Sequence, residues 1–568
     1  MKSKKIITIV FAIFAFCFWA FYRPEWLSFN EQYQLFLFSF DYLFEHLALP
    51  GGFAVWTAEF FVQFFYHTFL GAIVISLILT SIYLLLKNNE NQIIALLPSV
   101  LIWIYAGDEC MLMTFPVAII FALGAYKLYQ KISYKNKLYL QILFIPLLYW
   151  LTGYCTYIYI ILAGLESFGD EVENKYLKRI SVTLGLLLYL VLFQFFTAYF
   201  ITRNYPFIDI FCGINYYRNR MEIPIWQHII AISCVVVNFL KIKDTKPLFY
   251  VQLVSLLAAL FLGVNKKYEE SHYTCLKTDY FVRYQKWDEM INYASKLPVQ
   301  SDFTLTGLNL ALAMTDQMPS RVFEFPQSGN NGLISEFDYT CFSCSPTAEV
   351  CYYLGLSNSV LRYNFDMQSA IVNCNNSGRF TKRIAESYIL NRRYDVAQRY
   401  LNLLKYTLFY RSWALEAESC LYNEQKVLQN PEWARINKLR VKDGLNFSNK
   451  QLAPMLLGLF ENCHENRMAL NYALVSLLIS KDLTSFVRVF PVYTANFGTA
   501  NVPEIYQQAF LIIFLQSGYS LEKLPSFISP ELVKQFDDFY NMVMLDPNNK
   551  AFKTGKFSKT YWKYYFAN

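Results

Sequence analysis

The side chains of this sequence that are best suited to chemistry lie in three polar stretches between long apolar runs. They are the carboxylates Glu31, Asp108 and Glu109 and the guanidinium groups of Arg203, Arg218 and Arg220. A carboxylate can take a proton from a hydroxyl group, and the planar fork of arginine fits the oxygens of a phosphate. The three acids are therefore candidate catalytic bases, and the three arginines are candidate ligands of an anionic substrate.

Asp108 and Glu109 occupy a turn of a few residues between two apolar segments. Charges held this close to hydrocarbon are costly and tend to be functional. A turn also needs polar residues, and its tip can be fully solvated. Both interpretations stay open.

Glu31 begins a polar pattern that predicts a helix over residues 30–46. Glu31, Gln34, Asp41 and Glu45 recur at steps of three and four residues, with one gap at Phe38. Such a helix either lies on a membrane with its acids in water or points its acids into a cleft above the bilayer. Periodicity favours the first arrangement.

The three arginines lie among tyrosines in residues 202–224. An exposed basic and aromatic loop of this kind can hold an anionic lipid head group, because arginine binds phosphate through paired hydrogen bonds. Solvated loop charges are the more ordinary explanation of the same pattern.

Composition shows what must position these loops. The 568 residues are 55% hydrophobic and only 16% charged, whereas ordinary soluble domains are about 25% charged. The long apolar runs fall in residues 1–264, and charges become frequent again from Lys266 onward. The sequence therefore predicts a transmembrane helical domain over 1–264 and a water-soluble domain over 265–568.

A bilayer core about 30 Å thick takes about 20 helical residues to cross, or somewhat fewer where it thins. Residues 138–165 are too long for one comfortable crossing and predict two short helices that meet near Thr152-Gly153. The predicted spans are 6–22, 61–86, 93–105, 112–129, 138–165 as a pair, 180–201, 225–240 and 247–264. Nine crossings follow, although one tilted helix over 138–165 stays an alternative.

Lysine and arginine placement predicts the orientation. Basic residues precede the first span and fill the loops near 127–137, 175–179 and 241–246. With nine crossings, all of these lie in the cytoplasm. The loops 23–60, 106–111 and 202–224 and the whole segment 265–568 then lie on the outer face.

The second half predicts helix pairs. Ala385, Tyr388, Tyr394 and Ala397 follow the small and large pattern of a tetratricopeptide hairpin, with Arg392 where that pattern usually has glycine. Residues 310–323 and 473–490 each predict a helix, a polar turn and a second helix. We expect an all-α array that either presents a concave surface to a protein partner or caps the membrane domain.

Other classes of site lack their signatures. There is no phosphate-binding loop, no Gly-x-Ser-x-Gly elbow and no His-Glu-x-x-His helix. The net charge of +7 is largely explained by cytoplasmic lysines, which gives no reason to expect nucleic acid binding. Cys341 and Cys344 form a Cys-x-x-Cys without a matched second pair, so packing cysteines are favoured over a zinc site or a disulfide. The sequence predicts no metal and no cofactor.

The layout of the first half resembles that of membrane glycosyltransferases of the GT-C type. The resemblance consists of a short tail, one span, a long outer loop with Asn30-Glu31 and an acid pair, Asp108-Glu109, in the next outer loop. It implies a polyprenyl-phosphate sugar donor, Glu31 as the first catalytic acid and Asp108 or Glu109 as the second. The usual adjacent acid pair is absent from the first loop, because Asn30 precedes Glu31.

Almost the whole chain also resembles an uncharacterised membrane-protein family of the Bacteroidota. The phrases that carry this resemblance are FNEQYQLF, LNLALAMTDQMPSRVFEFPQ and RYDVAQRYLNLLKYTLFYR. The resemblance implies a bacterial inner membrane and a periplasmic second half, and it implies no activity.

Two functional hypotheses follow. The first is a GT-C-like transferase of the cell envelope, in which one of the acids is the base and the arginines hold the lipid phosphate. The second is a non-catalytic scaffold whose membrane half anchors a periplasmic, tetratricopeptide-like domain that binds proteins.

Overall fold

The computed structural model describes residues 2–88, 91–108, 111–132, 137–167, 175–213, 224–240, 246–298, 300–335, 344–371, 376–441, 451–518, 524–545, 555 and 557–566. Helices are the regular elements of these residues, and no β-strand occurs among them. The predicted all-α fold class is therefore confirmed. The chain forms two compact units. The first comprises Met1–Tyr273, Ile371–Arg379 and Asn402–Leu415, and the second comprises Thr274–Ala370, Phe380–Leu401 and Glu416–Asn568.

The first unit contains thirteen α-helices within its described residues up to position 267. Helices α1 to α13 are Lys2–Cys17, Pro24–Glu31, Phe40–Leu47, Gly52–Val62, Thr68–Leu86, Leu97–Tyr105, Thr114–Gln130, Lys137–Thr152, Thr156–Leu165, Lys175–Phe196, Phe207–Cys212, Ile225–Phe239 and Lys246–Lys267. The π-helical segments Phe18–Tyr22 and Thr197–Ile201 continue α1 and α10. Helix α13 runs through the predicted boundary at 264–265.

Five helical stretches are long and apolar enough to cross a membrane. They are Lys5–Tyr22, Thr68–Leu86, Leu140–Leu165, Tyr176–Ile201 and Pro247–Lys267. Large apolar side chains on them point outward, as Ile9 does on α1, Leu188 on α10 and Phe261 on α13. Rows of exposed leucine, isoleucine and phenylalanine on a helix require an apolar surrounding. These features identify a membrane protein.

Residues 138–165 fold back on themselves. Helix α8 ends at Thr152, a short 3-10 segment follows, and α9 begins at Thr156. The Tyr159 hydroxyl donates to Gln141 Oε1 at 3.0 Å, whereas residues this far apart on one straight helix would be separated by about 27 Å. Gly153 makes the turn at φ +56°, a left-handed conformation that glycine adopts without steric cost. The predicted pair of short helices is confirmed.

The predicted span 61–86 begins later than expected. Helix α4 ends at Val62, a 3-10 turn covers Gln63–Tyr66, and α5 starts only at Thr68 after an extended His67. Hydropathy did not reveal this break, because Phe61, Phe64 and Phe65 continue the apolar run across it.

Contacts between helix ends form two groups within the first unit. At one end of the unit, side-chain hydrogen bonds join Lys87 to Thr8 (3.2 Å), Asn91 to Val237 (2.9 Å), Asn238 to Tyr126 (3.1 Å) and Tyr126 to Glu166 (2.5 Å). At the other end, hydrogen bonds join Trp150 to Leu47 (2.7 Å), Gly51 to Trp150 (2.9 Å), Gln227 to Tyr105 (3.4 Å) and Tyr268 to Trp103 (2.9 Å). The loop that carries Asp108 and the loop that carries Glu31 therefore belong to the same end.

The second unit is built from shorter helices. Helices α14 to α30 are Glu270–Arg283, Trp287–Ala294, Asp302–Met314, Met318–Arg321, Ser345–Leu354, Ser357–Ser369, Gly378–Leu390, Tyr394–Leu404, Arg411–Ser419, Glu424–Gln429, Pro431–Leu439, Leu452–Asn462, Arg467–Ile479, Leu483–Phe497, Glu504–Ser517, Pro530–Leu545 and Tyr561–Phe566. Four of them, α14, α20, α21 and α22, contain a residue position at which the chain passes from one unit to the other. Helix α26 is apolar and buried, so it is a core helix.

One type of turn recurs between these helices. Within the described residues, five non-glycine residues have a positive φ, and each lies in a turn between consecutive helices: Gln285, Asp316, Arg392, Tyr422 and Lys481. In four of the turns the next backbone N–H reaches a carbonyl five residues back, as Arg393 does to Tyr388 at 2.9 Å. This bond closes a Schellman motif.

The predicted helix pairs of the second half are confirmed as helix–turn–helix units. Helices α20 and α21 flank Arg392, whose φ of +59° explains why the corresponding position of the repeat usually holds glycine. Ala385 and Ala397 are buried, and the rings of Tyr388 and Tyr400 stack at 5.8 Å. The stretches 310–323 and 473–490 likewise contain two helices each, joined at Asp316 and Lys481.

The second unit includes a largely buried cation, Arg383, whose side chain is 16% exposed. Arg383 donates to Glu349 Oε2 at 2.6 Å and to Glu386 Oε2 at 2.7 Å. Its guanidinium also lies 3.7 Å from the centre of the Tyr352 ring. Cys344 and Cys351 lie near these residues in the sequence, and both are buried. Cys341 lies outside the described residues, so its pairing remains a prediction.

Candidate functional site

Glu31 is the last residue of α2, and it is buried rather than exposed to water. Pro24 opens this helix at a position where a missing N–H costs nothing, and Glu25 lies in the first turn, where a negative charge is favourable. The hydroxyl of Tyr410 donates to Glu31 Oε1 at 2.9 Å. A residue far away in the sequence therefore fixes one oxygen of this carboxylate.

Other polar side chains beside Glu31 are also buried and hydrogen-bonded. Asn30 donates to the carbonyl of Trp26 at 3.1 Å, and Gln32 donates to that of Ser28 at 3.2 Å. Gln32 also accepts from Arg379 Nη1 at 2.9 Å. The first loop is thus a packed polar layer of the first unit.

The predicted helix over 30–46 is wrong. Helix α2 ends at Glu31, α3 begins at Phe40, and Gln34 lies between them. Ser39 caps α3 by accepting from the backbone N–H of Tyr42 at 3.2 Å, a start signal that periodicity alone overlooked. Asp41 and Glu45 of α3 are exposed while Glu31 and Gln34 are buried, so the four residues share no face.

Asp108 lies at a tight turn after α6. Its backbone N–H donates to the carbonyl of Tyr105 at 2.9 Å, its own carbonyl accepts from Met111, and its side chain is half-buried. The turn packs closely, because a Cβ added to Gly107 would lie 2.5 Å from the Tyr268 ring. Glu109 lies outside the described residues.

Arg23 and Tyr268 connect the two acidic loops. Tyr268 donates to the carbonyl of Trp103 at 2.9 Å, and the Arg23 guanidinium lies over its ring at 5.8 Å. Arg23 also lies 4.3 Å from the ring of Tyr273 and forms an ion pair with buried Glu25 at 3.3 Å. Burial raises the pKa of Tyr268 well above its ordinary value, and the charge of Arg23 opposes this shift only in part. Tyr268 therefore stays a neutral hydrogen-bond donor.

Arg203 is exposed, and its Nε donates to the carbonyl of Tyr199 at 2.9 Å. It thereby caps the end of the π-helical segment that follows α10. Arg218 and Arg220 lie outside the described residues, so their predicted role as phosphate ligands remains a prediction.

A second buried carboxylate joins α3 to α4. Glu59 accepts from the Tyr42 hydroxyl, and its Oε2 lies 3.1 Å from His46 Nε2. The other ring nitrogen of His46 lies 2.8 Å from the carbonyl of Tyr42. Both nitrogens face acceptors, so this geometry fits the imidazolium form, in which both are donors.

The family model for the Family of unknown function (DUF6057) matches residues 1–568. The chain belongs to this family. No curated protein and no solved structure matches it. The predicted membership of an uncharacterised family is confirmed, and the family description assigns no activity to the residues described above.

Within the described part of the DUF6057 chain, no group of three histidine, cysteine, aspartate or glutamate side chains is arranged to hold a metal ion. Two kinds of chemistry fit the described geometry. The carboxylates can accept protons, and the Arg23 and Arg379 guanidinium groups can position polar groups of the first loop.

The sequence analysis missed four residues of the DUF6057 chain that hold together the end of the first unit where Glu31 and Asp108 lie. They are Arg23, Tyr268, Arg379 and Tyr410. The sequence contained one usable signal, the charge pair Arg23 and Glu25 around the helix-opening Pro24. The contacts of Arg379 and Tyr410 join residues more than 340 positions apart and leave no periodic trace.

The pair of His46 and Glu59 predicts a pH-dependent stability. Burial lowers the pKa of His46, but the hydrogen bond and charge of Glu59 outweigh burial and raise it above the ordinary value. The stabilisation is therefore complete below about pH 6.5 and is lost as the pH rises through the higher folded-state pKa. Thermal unfolding of the full chain in detergent between pH 6 and 9 should reveal this loss.

The variants H46Q and H67Q form the comparison for this measurement. H46Q should have a flatter pH profile, because glutamine cannot become a cation. H67Q leaves the His46–Glu59 pair intact and should retain the wild-type profile. Identical pH profiles for wild type and H46Q would show that the pair contributes nothing to stability.

Proposed function

We propose that this chain is a multi-pass inner-membrane protein of the bacterial cell envelope that acts as a GT-C-like glycosyltransferase. It takes a sugar from a polyprenyl-phosphate carrier on the periplasmic face. The observation that carries this proposal is the gathering of the first-loop carboxylates and the Asp108 turn at one end of an apolar helical unit, joined through Arg23 and Tyr268.

The proposal includes nine crossings, which give this orientation. The helix-end contacts support it, because they are those expected if α1, α5, α6, α7, α8, α9, α10, α12 and α13 alternate in direction. Helix α9 has ten residues, or about 15 Å, so its crossing in this topology requires a locally thinned bilayer. Both ends of such a hairpin lie on one side, and the basic loops around it remain cytoplasmic.

Two single-cysteine variants test this topology. Glu45 is exposed at the outer end of the first unit and Lys131 is exposed at the other end. In a chain freed of its 12 native cysteines, E45C should react with a membrane-impermeant maleimide in spheroplasts. K131C should react only after the membrane is opened. The reverse labelling pattern would overturn both the orientation and the proposed periplasmic site.

The proposed reaction moves one proton and one sugar. A carboxylate, Glu31 or Asp108, takes the proton of the acceptor hydroxyl. At the same time, the oxygen of the acceptor forms a bond to the anomeric carbon of the sugar. The bond from that carbon to the donor phosphate breaks, and the polyprenyl phosphate leaves with the electron pair. Arg203, with Arg218 and Arg220, holds this phosphate in the proposal.

The variant E31Q tests the role of Glu31. Glutamine has the same shape, and its side-chain oxygen can still accept from Tyr410, so the fold should be retained. Loss of a general base lowers rates by roughly 100- to 10,000-fold. In the native host deleted for this gene, mass spectrometry of envelope glycans should show the missing sugar restored by the wild-type chain and not by E31Q.

The control for this experiment is E45Q, which neutralises an exposed carboxylate on α3. E45Q should restore the glycan fully. Membrane levels and thermal stability of both variants should match those of the wild type. Full restoration by E31Q would exclude Glu31 as the base.

The recurrent hairpin turns of the second unit favour one alternative, a non-catalytic scaffold whose periplasmic, tetratricopeptide-like domain binds proteins. Under this alternative, E31Q and D108N leave the phenotype of the native host unchanged. A surface change in the second unit, such as the paired reversal R392E with E424R, alters it instead. The exposed pair Arg392–Glu424 is 2.8 Å apart, and the paired reversal should retain it.

A further inference from the structure

A cavity of about 810 Å³ opens in the first unit beside the first loop. Phe38 forms one part of its wall, and the other lining residues come from the segment Asn402–Leu415. They include Asn402, Lys405, Leu408, Arg411 and Leu415.

The wall of this cavity is held by specific hydrogen bonds. The backbone N–H of Phe38 donates to the carbonyl of Tyr406 at 2.7 Å, and the backbone N–H of Tyr410 donates to Thr407 Oγ1 at 3.2 Å. The ring of Phe409 stacks on Tyr66 at 5.4 Å. The segment thus has a fixed shape against the first loop, which makes the cavity a preformed site.

The lining residues combine positive charge with apolar surface. Lys405 and Arg411 are cations, Asn402 adds an amide, and none of the lining residues described is acidic. Phe38, Leu408 and Leu415 are each close to half exposed. An anion with an apolar body satisfies both parts of such a surface, whereas a free inorganic ion satisfies only the first.

The neighbourhood of the cavity indicates where that ligand comes from. Helix α3 follows Phe38 directly and exposes Phe40 and Phe44 to 79% and 63%. These rings share the helix with the exposed acids Asp41 and Glu45, as in a helix that lies at a membrane surface. Lipid head groups are therefore the anions that meet this cavity at high local concentration.

We propose that this cavity binds the phosphate head group of an anionic phospholipid. Lys405 and Arg411 are the phosphate ligands, and Phe38, Leu408 and Leu415 contact the first methylene groups of the acyl chains. This site uses none of the residues assigned to sugar transfer, so it stands whether or not the chain is a transferase.

Native mass spectrometry of the full-length, delipidated protein in neutral detergent tests this site. Titration with phosphatidylglycerol should show one lipid bound more tightly than the rest. The variant K405Q/R411Q should bind this lipid roughly 100-fold more weakly, about tenfold for each charge-assisted contact removed. The conservative variant K405R/R411K should retain most of the affinity, which separates loss of charge from damage to the fold.

The control R362Q/K438Q removes two exposed cations of the second unit and should leave the affinity unchanged. If this control weakens phosphatidylglycerol binding as much as K405Q/R411Q does, the effect arises from net charge alone and the proposed site is wrong. If inorganic phosphate at equal concentration displaces phosphatidylglycerol completely, the ligand of the cavity is a free phosphate and not a lipid. Unchanged phosphatidylglycerol binding by K405Q/R411Q would exclude Lys405 and Arg411 as its ligands.

Discussion

Replacing Arg383 by methionine is expected to destabilise the second unit by about 3–5 kcal/mol, the usual cost of removing one partner from a buried ion pair. Arg383 contacts Glu349 and Glu386, whose side chains are 10% and 6% exposed. Burial lowers the pKa of Arg383, but these two carboxylates outweigh burial and hold it well above its ordinary value. Without the cation, Glu349 loses its close ion pair, and Glu386 keeps only the longer one to Lys382 at 3.9 Å.

Thermal unfolding of the full chain in detergent measures this effect. The matched control is R362M, because Arg362 pairs with Asp366 at 3.7 Å on an exposed helix face, where such pairs contribute at most about 0.5 kcal/mol. R383K should fall between wild type and R383M, since lysine keeps the charge and loses the paired contacts. Equal melting of R383M and R362M would show that the buried cluster does not hold the unit together.

The second large effect is expected for Gly164→Leu in α9. A Cβ placed at Gly164 would lie 2.9 Å from the Cα of Thr183 on α10, so the two backbones touch here. Small residues allow this approach between membrane helices. Leucine must push α9 and α10 apart, at a cost of about 3 kcal/mol, the upper end of what overpacking costs.

Gly185→Leu is the matched control, since it introduces the same side chain into the partner helix α10. Among the described residues, no atom lies within 4 Å of a Cβ built at Gly185. Size-exclusion chromatography after heating should show G164L aggregating at a lower temperature than wild type, with G185L unchanged. If G185L is the more damaging variant, Gly164 is not the contact that sets the helix spacing.

Local signals in the sequence predicted much of the helical framework. The hairpin at Thr152-Gly153 was predictable because a single helix of that length exceeds the bilayer and glycine marks the turn. The turn at Arg392 was predictable from the spacing of alanines and tyrosines around it. In both cases the residues that determine the structure lie within one or two helices.

The surroundings of Glu31 could not be predicted in the same way. Periodicity suggested one helix across 30–46, but Ser39 starts a new helix and Tyr410 holds the buried carboxylate. The segments Ile371–Arg379 and Asn402–Leu415 join the first unit through contacts that no local pattern encodes. Burial of a polar layer therefore became visible only when distant segments were brought together.

This interleaving of the chain has a consequence for biosynthesis. When Tyr273 leaves the ribosome, every apolar helix of the first unit exists, but Gln32 still lacks Arg379 and Glu31 still lacks Tyr410. At roughly 5–20 residues per second, synthesis as far as Tyr410 takes about 7–27 s. During this interval, the nascent first loop lacks these two long-range hydrogen bonds while it is exposed to the insertion and quality-control machinery. Folding of the first unit can therefore be completed only after translation of Asn402–Leu415, which is encoded far downstream in the mRNA.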